Sequence, residues 1–169
     1  MDTLHLRPLT RADLEPFNRM VNAVCRERRF MVRLDGFSLS ETRALLERVS
    51  LGGWPNIVAE ADGALVGWCM VLPREEEGFR HCGILGMGLL PEWRGRGHGR
   101  ALLEECVAQA REFGMERLEL EVYASNGTAI RLYEHLGFAH EGRRRRARKL
   151  EGHYDDILLM ARLEPLAAD

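Results

Sequence analysis

Residues 94–100 read Arg-Gly-Arg-Gly-His-Gly-Arg, three glycines alternating with cationic or basic side chains. Glycines let a backbone turn tightly and present several N–H groups at one place. The segment follows an apolar run, residues 82–90, and leads into Leu102, Leu103, Cys106, Val107, Ala110 and Phe113, which repeat at helical spacing. A glycine turn between a strand and a helix start is an anion site suited to phosphates, because converging N–H groups add to the positive end of the helix dipole. Arg94, Arg96 and Arg100 add full charges that pair with phosphate oxygens. Two phosphate motifs do not fit. A P-loop ends in Gly-Lys-Ser or Gly-Lys-Thr, which the segment lacks. A dinucleotide fingerprint needs a third glycine where Arg100 stands. The alternative is a solvated basic loop.

The elements that position this loop follow from patterning. The 169 residues are of one-domain size, and a 46% hydrophobic, 30% charged composition reads as globular. Lys plus Arg number 24 against 26 Asp plus Glu, a net charge of −2 that excludes a uniformly basic nucleic-acid coat and a polyacidic tail. No apolar run approaches the ~18–20 residues of a membrane helix. The start of the chain lacks the layout of a signal peptide. The four cysteines, Cys25, Cys69, Cys82 and Cys106, form no C-x-x-C pair and read as free thiols of a cytoplasmic protein. Residues 3–7 alternate as a short strand. Thr10 with Asp13, and Ser38 with Glu41, resemble helix-capping pairs ahead of two amphipathic helices. Asp62-Gly63 joins two β-rich runs as a hairpin. Gly83, Gly86 and Gly88 thin out the next strand and point to close backbone approach, packing or a bulge. The remaining order is a helix stopped by Gly114, a strand over residues 117–123, a helix capped by Asn126, and two strands around Glu151-Gly152. The order β-α-α-β-β-β-α-β-α-β-β predicts a single domain, residues 1–169, of mixed α/β (α+β) class.

Arg94, Gly97 and Gly99 fit the pattern R-x-x-G-x-G, and Asn126, Ala129, Tyr133 and then Leu136-Gly137-Phe138 follow it. With both patterns the chain resembles the GNAT superfamily of acyl-CoA-dependent N-acetyltransferases, most closely over residues 86–138. The end of the chain, from Glu151-Gly152-His153-Tyr154-Asp155-Asp156 to Met160, is similar to bacterial members that acetylate amino acids or ribosomal-protein N-termini. The resemblance implies a GNAT fold, a central mixed, mostly antiparallel sheet of six or seven strands with about four helices. It implies acetyl-CoA as co-substrate and transfer of acetyl to a primary amine, a small molecule or a protein N-terminus, by direct attack in a ternary complex. It places the CoA pyrophosphate on Arg94, Gly95, Arg96, Gly97, His98, Gly99 and Arg100, and the pantetheine arm on the backbone of Met87, Gly88 and Leu89. One N–H of that strand would reach the thioester oxygen, and Asn126 would hydrogen-bond the arm. A homodimer is an expectation of the family.

Tyr133 stands where the family has the acid that protonates the leaving thiolate; a core tyrosine is the alternative. Phenols titrate near ~10 and are protonated at neutral pH. Residues 82–90 carry no acidic residue, so the base is sought in Glu121, Glu119 or His81, directly or through water, against readings of each as an ordinary surface or hydrogen-bonded group; the alternative is no dedicated base, with the site drawing on the small neutral fraction of the amine. Glu75, Glu76 and Glu77 would attract a cationic amine or form a solvated loop. Residues 143–149 would meet an anion or form a charged edge strand. No histidine set has metal-ligand spacing, and no metal, membrane or nucleic-acid partner is expected. A non-catalytic CoA-binding sensor and an RNA-associated protein are the competing readings.

Overall fold

Local signals in the chain set the element boundaries in the computed structural model, which describes residues 4–165. Thr10 and Asp13 form a capping box, and the helix α1, Leu14–Arg26, follows a single 3-10 turn. Ser38 and Glu41 form a second box, with the Glu41 N–H donating to Ser38 Oγ, ahead of α2, Leu39–Gly52. Strands β2, Asn56–Ala61, and β3, Ala64–Pro73, are joined by Asp62 and Gly63 at φ 49° and 77°, the two positive values that a tight hairpin turn requires. The chain continues through β4, Cys82–Leu89; α3, His98–Glu112; β5, Arg117–Tyr123; α4, Gly127–His135; β6, Ala139–Leu150; and β7, His153–Leu163. The first strand, β1, spans His5–Arg7; Thr3, read as its start, lies outside the described residues.

The seven strands hydrogen-bond in the order β1-β2-β3-β4-β5-β7-β6. The β1–β2, β2–β3, β5–β7 and β6–β7 pairs are antiparallel. The β4–β5 pair is parallel, with Cys82, Gly83 and Ile84 opposite Arg117, Leu118 and Glu119. This is the mixed, mostly antiparallel sheet with four α-helices expected from the sequence.

The chain divides into two compact units, Met1–Leu72 with Gly86–Phe113, and Pro73–Leu85 with Gly114–Asp169. In the first, Phe17, Met20, Val21 and Val24 of α1 and Leu46 of α2 bury against Val58, Leu65, Trp68 and Met70. Phe17 meets Trp68 edge-on, 6.2 Å between centroids. Trp68 also explains Gly88: a Cβ there would lie 2.3 Å from the indole, so packing alone requires glycine. Gly86 has open space at its Cβ position. In the second unit Leu118, Leu120 and Val122 of β5 are buried along with Met160, Tyr133 and Phe138. The alternate β5 residues, Arg117 and Glu119 half-buried and Glu121 exposed, occupy its other face.

Strand β6 is the sheet edge, and its ladder with β7 breaks between Arg144 and Arg148. Arg146 adopts φ 52° there, and its N–H donates to Asp156 Oδ1 at 2.7 Å, while Arg143 Nε donates to Asp156 Oδ2 at 2.6 Å. One carboxylate thus holds a bulge that disfavours further edge pairing.

Candidate active site

The anion loop lies in the first unit. Gly95 and Gly97 have φ of 73° and 85°, and neither has an atom within 4 Å of a built Cβ. Their glycines therefore serve backbone conformation and leave open space. Gly97 caps α3, its carbonyl accepting the N–H groups of Arg100 and Ala101. The N–H groups of His98 and Gly99 begin the helix, where no carbonyl four residues back can accept them. The cations differ in disposition. Arg100 pairs with Glu104 at 2.7 Å on the exposed face of α3. Arg96 lies 6.0 Å from the Trp93 ring, which also packs on His98. Arg94 is bound within the protein. Its Nη1 donates to Glu27 Oε2 at 2.7 Å, and its Nε donates to the Leu89 carbonyl at 2.9 Å. Its own N–H donates to the Pro91 carbonyl. Arg94 thus ties the loop to the C-cap of α1 and to the end of β4. The sequence pattern of Arg94 gave no sign of Glu27, which lies 67 residues away.

The second unit carries the acid-base candidates. Tyr133 on α4 is buried, its ring 5.8 Å from that of Phe138. Asn126 caps α4, its side-chain oxygen accepting the Ala129 N–H at 3.3 Å. His81 is exposed, and its carbonyl accepts the N–H groups of Glu116 and Arg117. Glu119 accepts from Arg117 Nε at 2.7 Å and Arg74 Nη2 at 3.0 Å. The Arg117 hydrogen bond, then that of Arg74, holds its carboxyl below the ordinary glutamate range. A carboxylate so doubly paired is a poor proton acceptor. Glu121 is more exposed and pairs with Arg144.

Glu119 and Glu121 line one cavity of about 260 Å³, with Arg74, Arg117 and Glu141 around it and Ile84 and Leu159 as apolar walls. Neither Tyr133 nor His81 lines it. Arg74 and Glu141 escape a sequence reading. Arg74 stands in a run of charged residues and reads as loop, and Glu141 gains meaning only through Arg117, whose Nη1 donates to it at 2.9 Å.

The acidic loop over Glu75, Glu76 and Glu77 is exposed. The basic stretch on β6 has internal partners: Arg143 with Asp156, Arg144 with Glu121, Arg148 4.4 Å over Tyr123, and Arg146 and Lys149 on Tyr154. All four cysteines are free and buried. Among the described residues no group of acidic, histidine and cysteine side chains could hold a metal ion, and no helix is long and apolar enough to cross a membrane.

Residues 21–138 match the acetyltransferase (GNAT) family. The chain is 33% identical to YjgM of Escherichia coli, an uncharacterized N-acetyltransferase, over 80% of this chain and 81% of that one. It is 29% identical to the L-amino acid N-acetyltransferase AaaT of the same organism, over 66% of this chain and 70% of that one. The crystal structure of a ribosomal-protein-alanine N-acetyltransferase from Brucella melitensis superposes with a TM-score of 0.87 at 30% identity, covering 95% of this chain and 99% of that one. Strand order, glycine loop and sequence similarity converge, and the chain belongs to the acetyltransferase (GNAT) family.

Proposed function

We propose that the protein transfers the acetyl group of acetyl-CoA to the primary amine of an amino acid or a protein N-terminus by direct attack. The observation that carries this reading is the turn at Gly95 and Gly97, open to an anion at the start of α3, in a chain of this family. Two positive-φ glycines with free space, helix-start N–H groups and nearby Arg96 and Arg100 suit a pyrophosphate. Acetyl-CoA supplies an acyl carbon activated as a thioester. The chain's own residues then divide the work. Backbone N–H groups of residues 95–99 hold phosphate oxygens. Arg94, engaged with Glu27 and Leu89, shapes the loop. The backbone of Met87, Gly88 and Leu89 lies beside the pantetheine arm, with the open position at Gly86 compatible with that approach. Asn126 hydrogen-bonds the arm.

The amine must be neutral to attack, and its nitrogen sheds a proton as the C–N bond forms. Glu121, the less encumbered carboxylate on the exposed face of β5, takes that proton directly or through water; Glu119 is held anionic by two guanidinium groups and serves electrostatics. As the C–S bond breaks, the sulfur accepts a proton from the Tyr133 phenol. The amino-acid and ribosomal-protein acetyltransferases among the relatives support the acceptor class.

Mass spectrometry after incubation with acetyl-CoA and a mixed panel of amino acids, polyamines, aminoglycosides and short peptides tests the reading. A product heavier by one acetyl group on an amino acid or peptide N-terminus is expected. Acetyl-CoA binding with no acetylated product from any amine would instead support a non-catalytic sensor.

A further inference from the structure

Strand β7 holds α4 at both of its ends. At the start, three successive backbone N–H groups build the turn from β5 into α4, and two of them reach β7. The Ala124 N–H donates to the Asp156 carbonyl at 2.9 Å, and the Ser125 N–H donates to Asp155 Oδ1 at 3.3 Å. The third, that of Asn126, donates to the Tyr123 carbonyl at 2.8 Å. Ser125 Oγ donates to the second oxygen of the same Asp155 carboxylate. Arg148 of β6 packs 4.4 Å over the ring of Tyr123, the residue that opens the turn. At the other end of α4, Arg162 Nη1 donates to the Leu136 carbonyl at 2.7 Å, between Tyr133 and Phe138 in the chain.

We propose that Asp155 is a positioning residue for acetyl-CoA: its carboxylate grips Ser125 and thereby sets Asn126 for the arm of the cofactor. The proposal rests on the acetyl-transfer reading above and adds a residue that this reading leaves unused. Asn126 follows Ser125 directly, and its side-chain oxygen already accepts the Ala129 N–H, which leaves the side-chain NH₂ to donate to the arm. The place of Asn126 therefore depends on how the turn is held. A carboxylate that takes both the N–H and the hydroxyl of Ser125 fixes that turn from outside. Without it, the Ser125 hydroxyl competes for the N–H groups that open α4. Asp156 has a different task, since its side chain holds the Arg146 bulge of β6. The two carboxylates leave β7 on opposite faces, as successive strand residues do, and that of Asp155 meets the turn. Tyr133 lies seven residues beyond Asn126, about 10 Å along the helix, near the end that Arg162 pins. Loosening the start of α4 therefore disturbs cofactor binding more than proton transfer.

The test measures acetyl-CoA binding by isothermal titration calorimetry, beside steady-state acetyl transfer to the best acceptor of the amine panel. Asp155→Ala removes both oxygens and should weaken acetyl-CoA binding by roughly 5- to 10-fold, the scale of one or two net hydrogen bonds, with kcat inside about 3-fold. Ser125→Ala removes the hydroxyl alone and should weaken binding by about 3-fold. In the double variant the Ser125 change should add less than about 1.5-fold to that of Asp155, because the two side chains act as one contact. Asp155→Asn keeps an oxygen for the Ser125 N–H and should bind within about 2-fold of wild type. Urea melts of each variant check that the fold is kept. Ser125 is exposed, so Ser125→Ala together with Asp155→Asn carries the test if Asp155→Ala fails to fold.

Unchanged acetyl-CoA affinity in folded Asp155→Ala, or in Ser125→Ala if the former does not fold, would overturn the proposal and leave acetyl transfer standing. The contact would then support the fold alone. An Asp155→Asn protein as impaired as Asp155→Ala would also overturn it, since charge rather than hydrogen-bond geometry would then matter. Fully additive losses in the double variant would separate Asp155 from Ser125 and overturn it too. Asn126→Ala probes the reading underneath. Unchanged acetyl-CoA affinity there would take Asn126 off the cofactor arm, and a wild-type protein that binds no acetyl-CoA would overturn both reading and proposal.

Discussion

Tyr133 and Glu121 differ in how much each depends on its surroundings. Tyr133 is buried against Phe138, so packing fixes its ring, and Tyr133→Phe keeps that ring contact. Tyr133→Phe should lower kcat by roughly 100-fold, within the range of general acid catalysis, with KM for acetyl-CoA inside about 3-fold. A raised KM with unchanged kcat would take Tyr133 out of proton transfer. Glu121 is exposed and pairs with Arg144. Glu121→Gln should lower kcat/KM for the amine by ~100-fold at neutral pH and recover part of the loss as pH rises and the neutral amine accumulates. Glu119→Gln should fail to reproduce that pH-dependent recovery, because its carboxylate is held down by Arg117 and Arg74. Matching pH profiles for the two variants would remove the distinction between base and bystander. Both glutamates were visible in the sequence as alternating β5 residues, yet their difference was not. It comes from Arg74, 45 residues away from Glu119, and from the β6 residue Arg144.

At the scale of elements, sequence patterning reached far because the decisive signals are local. The Ser38 box, the Asp62-Gly63 turn and the Asn126 cap each act within four residues, and each sits at the boundary its chemistry demands. The insertion of β7 between β5 and β6 was not legible, because pairing partners so distant leave no periodic mark on either strand. The same limit hid the strut between α1 and the anion loop. Glu27 follows α1 at its C-cap, and Arg94 reaches it while also bonding the last carbonyl of β4. Both side chains are mostly buried, Arg94 at 34% and Glu27 at 19% exposure, so losing one charge leaves the other poorly compensated. Glu27→Gln should raise KM for acetyl-CoA by about 3- to 10-fold and lower stability by about 1–2 kcal/mol. Kinetics and urea melts measure these together. An unchanged KM with lowered stability would mean that the strut supports the fold and not the loop.

For the whole molecule, the net charge of −2 conceals a balance that pH can upset from both sides. On the acid side, Arg7 and then Thr10 hold the buried Asp13 carboxyl down to about 2. Glu119 and Glu141 are held low by hydrogen bonds from Arg117. A carboxyl depressed in the folded state adds stability that is complete above its unfolded value, near ~4, and is lost as pH falls through the folded value. For Asp13 that window runs from about 4 to about 2, and its share is on the order of 2 kcal/mol. On the alkaline side, burial raises the Cys69 thiol, with a further contribution from Cys106, and burial also raises Cys25 and Cys82. A group raised in the folded state contributes fully below its unfolded value, near ~8.5 for a thiol, and its contribution is lost as pH rises beyond that. Urea unfolding across pH 2.5–10 should therefore give a plateau from about 5 to 8 with a fall on each side. Asp13→Asn should lower the plateau and flatten the acid limb, while the alkaline limb stays where it was. An acid limb unchanged in Asp13→Asn would show that the Arg7 pairing contributes nothing to acid sensitivity. In that case the loss belongs to the carboxylates around Arg117, and Glu141→Gln is the variant that should flatten it.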